Sequence, residues 1–301
     1  MSVQESKGKV YCLSGNWIQE REVGKRLYES VRLKKSNVIH LDARKLSEIY
    51  AEEFDIRDSI EARQISAQRD LDFCLTFAEA GFDVVYTNDN DISFDESWLE
   101  QRFNDYSLIT KLEDMPSCEP VSNLEIGKGT LYWFTGLSGA GKTTLGTRWY
   151  ERLRSFKPNV ILLDGDKNRA RLKNNDYSRA ARESKTFAGI KIAKYITDQG
   201  IDVVYCVIAM FDSIRNWNRE NIENYKEIYL EVPMEVLFAR DTKGLYAGAR
   251  SGKIKDVVGM DQIAEFPKNP DVRILNDGNM NPEDTIEYIA SQLVLKEEKS
   301  V

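Results

Sequence analysis

The stretch "YWFTGLSGAGKTTLGTRWY", residues 132–150, decides the fold class. It opens on a short apolar run of β-favouring residues and passes through GLSGAGKT (136–143), which fits G-x-x-x-x-G-K-[ST]. It then runs into a predicted helix, and strand, loop and helix in that order are the context in which this pattern cradles phosphate. Gly136, Gly139 and Gly141 let the backbone wrap with its N–H groups inward, where a side chain would obstruct, and the helix start adds positive potential. Lys142 is then placed to reach the β- and γ-phosphates, the Thr143 hydroxyl to ligate Mg²⁺, and Thr144 to support a neighbouring phosphate. Ser138 and Ala140 complete the loop. The expected ligands are ATP and Mg²⁺.

Composition narrows the class. The 301 residues are 42% hydrophobic and 30% charged, which suits a globular chain with room for two medium domains. The formal net charge of −7 argues against a sequence-independent nucleic-acid binder, whose affinity would come from lysine and arginine on phosphates. No run approaches the roughly 18 apolar residues of a membrane helix, and the start, MSVQESKGKV, lacks the apolar stretch of a signal peptide. A cytoplasmic protein with no membrane partner is therefore expected. Cys12, Cys74, Cys118 and Cys206 show no CxxC pairing and His40 is the single histidine, so neither a Cys/His metal cluster nor a disulfide framework is expected.

The chain repeats itself. KGKVYCLSG (7–15) matches KGTLYWFTG (128–136), NVIHLDARK (37–45) matches NVILLDGDK (159–167), and EAGFDVVYTN (79–88) matches DQGIDVVYCV (198–207), in the same order. Each unit reads as strand, glycine turn, helix, strand, helix, strand. Continuous apolar strands alternating with amphipathic helices predict parallel strands covered on both faces. The predicted class is α/β, a P-loop NTPase-type doubly wound parallel sheet present as a tandem duplication. The domains are expected at 1–115 and 128–301, with a linker at 116–127 inside the Pro/Ser/Gly-bearing stretch 112–129.

At the end of the strand after the loop, LLDGDKNR (162–169) places Asp164 and Asp166 at the carboxyl edge of the sheet, where ligands of open α/β sheets bind. One carboxylate there can hold the Mg²⁺ shell and another can accept a proton from an attacking hydroxyl. With Lys142 they form the expected catalytic set.

Together GTLYWFTGLSGAGKTTL (129–145), LLDGDKNR and RDTKGLYAGARSGKIK (240–255) resemble adenylylsulfate kinase, the P-loop family that phosphorylates the ribose 3′-hydroxyl of adenosine 5′-phosphosulfate. The resemblance covers about residues 128–295. It implies that Asp164, Asp166 and Arg169 lie on the substrate side, that Arg182 contacts the nucleotide acceptor, and that Tyr177 stands where the family has a phenylalanine against the base. It implies a mobile lid bearing Arg240, Lys243, Gly244, Leu245 and Arg250, with Lys243, Gly244 and Leu245 at the acceptor and Arg240 also at ATP. Such a lid brings cations over developing charge and excludes water.

The departures fall on the acceptor side. CVIAMFD (206–212) stands for the family's SFISPYR, so Ala209 replaces a serine and Asp212 an arginine, while Lys185 replaces an asparagine. VVG (257–259) stands for FTG, whose phenylalanine stacks on adenine, and an aromatic stack contributes about 0.5–1.5 kcal/mol beyond area. The first expectation for the acceptor is adenylylsulfate. The alternative is another activated nucleotide, such as a cytidine-diphosphate-linked phosphoramidate of capsule or polysaccharide synthesis. A third reading, from a different class, is a nucleotide-binding regulatory protein without turnover.

The first copy offers GNWIQEREVG (15–24) across the loop positions, with Glu20 and Glu22 where phosphates need donors, and DAR (42–44) where the second has DGD. It is expected not to bind ATP and to serve as a scaffold, a partner half in a homodimer, or a regulatory half-site.

Overall fold

Two separate parallel sheets form, one in each of two compact units, residues 1–127 and 128–301. The computed structural model describes residues 8–14, 17–53, 60–88, 96–104, 106–110, 126–165, 176, 178–241 and 243–293. Most of the expected linker therefore lies outside the described residues.

The first unit runs β1 (Lys9–Ser14), α1 (Trp17–Arg32), β2 (Val38–Asp42), α2 (Ala43–Glu53), α3 (Ile60–Glu79), β3 (Asp83–Asn88), α4 (Glu96–Arg102) and β4 (Ser107–Ile109). Its strands lie in the order β2-β3-β1-β4, all parallel. Two helices, α2 and α3, stand where the sequence reading has one.

The second unit runs β5 (Leu131–Thr135), α5 (Lys142–Arg154), β6 (Val160–Asp164), α6 (Arg179–Thr197), β7 (Asp202–Val207), α7 (Asp212–Asn221) and β8 (Tyr225–Glu231). It continues through α8 (Met234–Arg240), α9 (Leu245–Arg250), β9 (Val272–Leu275) and α10 (Pro282–Leu293). Its order β6-β7-β5-β8-β9 reproduces that of the first sheet and adds one strand at the edge. On one face Leu145 and Trp149 of α5 and Ile286 and Ile289 of α10 pack on Tyr132, Phe134, Val204 and Cys206. On the other face α6 lies so close that a Cβ on Gly189 would collide with the Tyr205 hydroxyl. Ser178 starts α6 by accepting a hydrogen bond from the Ala181 N–H at 3.3 Å, the arrangement that satisfies an otherwise unpaired first-turn donor.

Corresponding bonds recur within each unit, as the topology does. The Asp83 carboxylate accepts from Lys9 N at 2.9 Å and Lys35 Nζ at 2.9 Å, and Asp202 accepts from Thr130 N at 2.8 Å and from Lys157. Asn37 Nδ2 donates to Gly81 O at 2.5 Å, and Asn159 Nδ2 to Gly200 O at 2.7 Å. Gly24 on α1 abuts Thr87 as closely as Gly146 on α5 abuts Cys206.

With these helices in register, the connections before them differ. Six residues separate Thr135 from α5, whereas two separate Ser14 from α1. In the first unit helix occupies the positions that the second gives to the loop. Asp42 likewise caps α2, accepting from Arg44 N at 3.0 Å and Lys45 N at 3.3 Å.

Asp202→Ala is expected to leave the Thr130 N–H and Lys157 unpaired at a site where Asp202 is only 4% exposed. The cost is about 1–3 kcal/mol, read as a lower midpoint in denaturant unfolding; an unchanged midpoint would contradict this account of the shared bonds.

Candidate active site

The loop between β5 and α5 is held by what surrounds it. At Gly136 a Cβ would lie 2.6 Å from the Leu230 carbonyl oxygen, so only glycine lets the strand leave the sheet this close to β8. Gly141, at φ 89, is the residue before α5, and a Cβ there would lie 2.7 Å from Asn276 Nδ2. Three loop carbonyls each accept a hydrogen bond from a different element. Lys142 Nζ donates to Leu137 O at 2.8 Å, the Tyr246 hydroxyl to Ser138 O at 2.7 Å, and Asn276 Nδ2 to Ala140 O at 2.8 Å. The first N–H groups of α5 lack intrahelical acceptors, as at any helix start, and α5 begins on a cleft lined by Ser138, Gly139, Gly141, Lys142, Thr143, Thr144, Asp164 and Lys243. Gly136 and Ala140 are buried behind it.

Across the cleft the end of β6 supplies Asp164, whose Oδ2 accepts from Thr143 Oγ1 at 3.1 Å. A hydroxyl and a carboxylate together at a helix start beside a phosphate-sized cradle form a donor set suited to a hard divalent cation shared with phosphate oxygens. Cys206 lies at the floor, 3% exposed, with its Sγ donating to Lys142 O at 3.4 Å. Burial pushes this thiol up to about 12, with the Asp164 charge adding to the rise and Lys142 opposing it, so it is a packing group and no nucleophile.

The segment expected as the lid consists of α8, a turn and α9. Gly244 turns the chain at φ 62, and Leu245 packs with Leu237, Tyr246, Val257 and Val258 in one apolar cluster. Asp241 accepts from Tyr246 N at 3.1 Å and Ala247 N at 2.8 Å, and the Ala247 N–H leads the contacts that hold its carboxyl below the usual aspartate value. Arg250 turns into the lid itself, its guanidinium 3.6 Å from the Phe238 ring centre. Arg240 lies beside Gly278.

On the acceptor side, Arg182 donates to the Asp256 carbonyl at 2.8 Å and the buried Lys185 ammonium to the Asp176 carbonyl. Asp212 pairs with Arg215, and its N–H donates to Glu265 at 2.6 Å. Val257 is 2% exposed, inside the cluster beneath the lid. Asp166, Arg169 and Tyr177 lie outside the described residues. Sequence reasoning did not single out Tyr246, Asp241, Glu265 or Asn276. Tyr246 and Asp241 sit inside the quoted lid motif, while Asn276 stands in Asn-Asp-Gly, which reads as an ordinary turn.

This geometry meets a match in known proteins. A family model described as adenylylsulphate kinase matches residues 128–275. A cytidine diphosphoramidate kinase of Campylobacter jejuni is 42% identical over 166 residues, 55% of this chain and 96% of that protein. The chain belongs to the adenylylsulphate kinase family. A probable adenylyl-sulfate kinase of Pyrococcus abyssi is 37% identical over 54% of this chain and 93% of its own length. The Mycobacterium tuberculosis APS kinase, solved with AMPPNP and APS, superposes with a TM-score of 0.50 at 27% identity, covering 56% of this chain and 99% of that one. Adenylylsulphate kinases are phosphotransferases acting on a hydroxyl group, and this chain is an enzyme of that kind. Among the described residues no helix is long and apolar enough to cross a membrane.

Two measurements check the site. Because the folded-state carboxyl of Asp241 lies below its ordinary value of 3.8, its contribution to the α9 start is complete above that value. It is lost as pH falls through the depressed one. The protection factors of the Tyr246 and Ala247 amides, each rate referred to the intrinsic rate at the same pH, are expected to fall in that acid window, and Asp241→Ala to remove that fall. Cys206 is expected to resist iodoacetamide at pH 8 in the folded protein and to react after unfolding.

Proposed function

We propose that this protein is an ATP-dependent kinase that transfers the γ-phosphoryl group to the ribose 3′-hydroxyl of a nucleotide-linked acceptor. The observation that carries the reading is the Thr143–Asp164 hydrogen bond beside a loop whose Leu137, Ser138 and Ala140 carbonyls are all engaged by side-chain donors. Gly136, Ser138, Gly139, Ala140 and Gly141 cradle the phosphates of ATP, Thr144 supports them, and Lys142 exchanges the Leu137 carbonyl for a phosphate oxygen. Thr143 and Asp164 would hold Mg²⁺, which when bound neutralises charge on the β- and γ-phosphates. Asp166 accepts the proton of the ribose 3′-hydroxyl as its oxygen takes the phosphoryl group and ADP leaves. Arg169, Tyr177, Arg182, Lys243, Gly244 and Leu245 hold the acceptor, and Arg240 and Arg250 belong to the lid, Arg240 at the ATP side. A cytoplasmic setting belongs to the same reading.

For the acceptor we favour a cytidine-diphosphate-linked phosphoramidate. Val257 lies in the core cluster instead of offering a ring face, Asp212 is tied to Arg215, and the Campylobacter relative acts on such a compound by name. Adenylylsulfate is the second reading, supported by the family and by the Pyrococcus relative. We read the first unit as a copy of the second that kept its sheet and lost its loop, on the strength of the common strand order and the paired Asp83/Asp202 and Asn37/Asn159 bonds.

The test is ADP release from Mg·ATP with each acceptor in turn. Stimulation by the cytidine compound over adenylylsulfate is expected, the reverse order would favour the second reading, and nucleotide binding without release with either would leave the regulatory class. Lys142→Ala is expected to lower turnover on the order of 10³-fold while leaving the unfolding midpoint in place.

A further inference from the structure

Asn276 lies just past β9, outside every motif that marks the site. Its backbone N–H donates to the Glu231 carbonyl at 2.8 Å, continuing the β8–β9 pairing that ends at Glu231 and Leu275. Its side chain reaches across to the phosphate loop, where Nδ2 donates to Ala140 O at 2.8 Å. Ala140 is fully buried, so without that donor its carbonyl would be an unsatisfied acceptor. The residue that follows is Gly141, at φ 89 and with an Asn276 nitrogen 2.7 Å from where its Cβ would be.

A peptide flanked by glycine can rotate about its own axis at little local cost, because glycine tolerates both signs of φ. Rotation of the Ala140–Gly141 peptide would turn a carbonyl oxygen toward the cleft that Gly141, Lys142 and Thr143 line and carry the Gly141 N–H away from it. An anionic ligand there would meet an acceptor in place of a donor. Of the three donors on this loop, Lys142 belongs to the nucleotide-binding set and Tyr246 to the lid. Asn276 is fixed by the sheet.

We infer that Asn276 is a positioning residue that locks the Ala140–Gly141 peptide with its carbonyl away from the phosphates and so sets nucleotide affinity from the edge of the sheet. The inference rests on the proposed ATP site. It acts on binding and leaves the chemistry to other groups, so it separates from a general structural role.

The experiment is titration calorimetry of the full chain with ADP, with and without Mg²⁺, for the wild type, Asn276→Ala and Asn276→Asp, alongside thermal unfolding and steady-state kinetics. Asn276→Ala removes one donor and is expected to weaken ADP about 3–10-fold. Asn276→Asp keeps the shape but sets an oxygen against the Ala140 carbonyl, and is expected to weaken ADP further. KM for ATP should rise in parallel, with kcat at saturating ATP and KM for the acceptor unchanged, while the unfolding midpoint of Asn276→Ala falls because the buried Ala140 carbonyl loses its donor. Wild-type binding with both variants equally tight overturns the inference alone, as does a loss confined to kcat or shared equally by KM for the acceptor. A wild type that binds no adenine nucleotide overturns the inference and the proposed ATP site together.

Discussion

A backbone that presents N–H groups to an anion must send the intervening carbonyls elsewhere, and buried carbonyls need donors. The loop at 136–141 meets this constraint with three side chains from three places: Lys142 from the helix it starts, Tyr246 from the lid and Asn276 from just past the last strand. The arrangement explains why the working unit needs parts that follow its fourth strand. Without α9 and β9 the same loop sequence would leave two of its carbonyls without these partners.

The first unit has a parallel sheet of the same strand order without that demand. Asp83 and Asn37 secure its strands as Asp202 and Asn159 secure those of the second, and Gly24 keeps α1 against β3 as Gly146 keeps α5 against β7. What changes is the interval between strand and helix, from six residues to two. A helix that starts that early uses its first N–H groups at a different height over the sheet. Asp42, equivalent to Asp164 in the repeat, turns back to cap α2. The strands and the site are thus independently variable: sheet contacts depend on residues at the amino ends of the strands, and the cradle depends on their carboxyl ends.

Most of this architecture was legible in the sequence because its signals are local. Apolar runs at the strands, the amphipathic segments between them and the Gly-x-x-x-x-Gly-Lys-Thr pattern each report on a few adjacent residues. The partners of the loop carbonyls were not legible, since Asn276 and Ala140 are joined only through the sheet, 136 residues apart. The different fates of Asp42 and Asp164 were also hidden. The residue after each is helical, Ala43 as well as Gly165, so the neighbour in sequence does not separate them. Arg250 was readable as a lid residue from its motif, but its stacking on Phe238 depends on how two short helices fold over each other.

On the proposed reading of the site, the bond between Lys142 and the Leu137 carbonyl makes ligand capture an exchange. An incoming phosphate must take the ammonium from an acceptor it already has, so only the difference between two hydrogen bonds counts toward affinity. Charge-assisted bonds to a multiply charged oxyanion are roughly twice as strong as those to a neutral carbonyl, so a polyphosphate wins the lysine readily. A weakly basic anion gains little. On that reading the loop discriminates by anionic charge, favouring a multiply charged tail over singly charged anions.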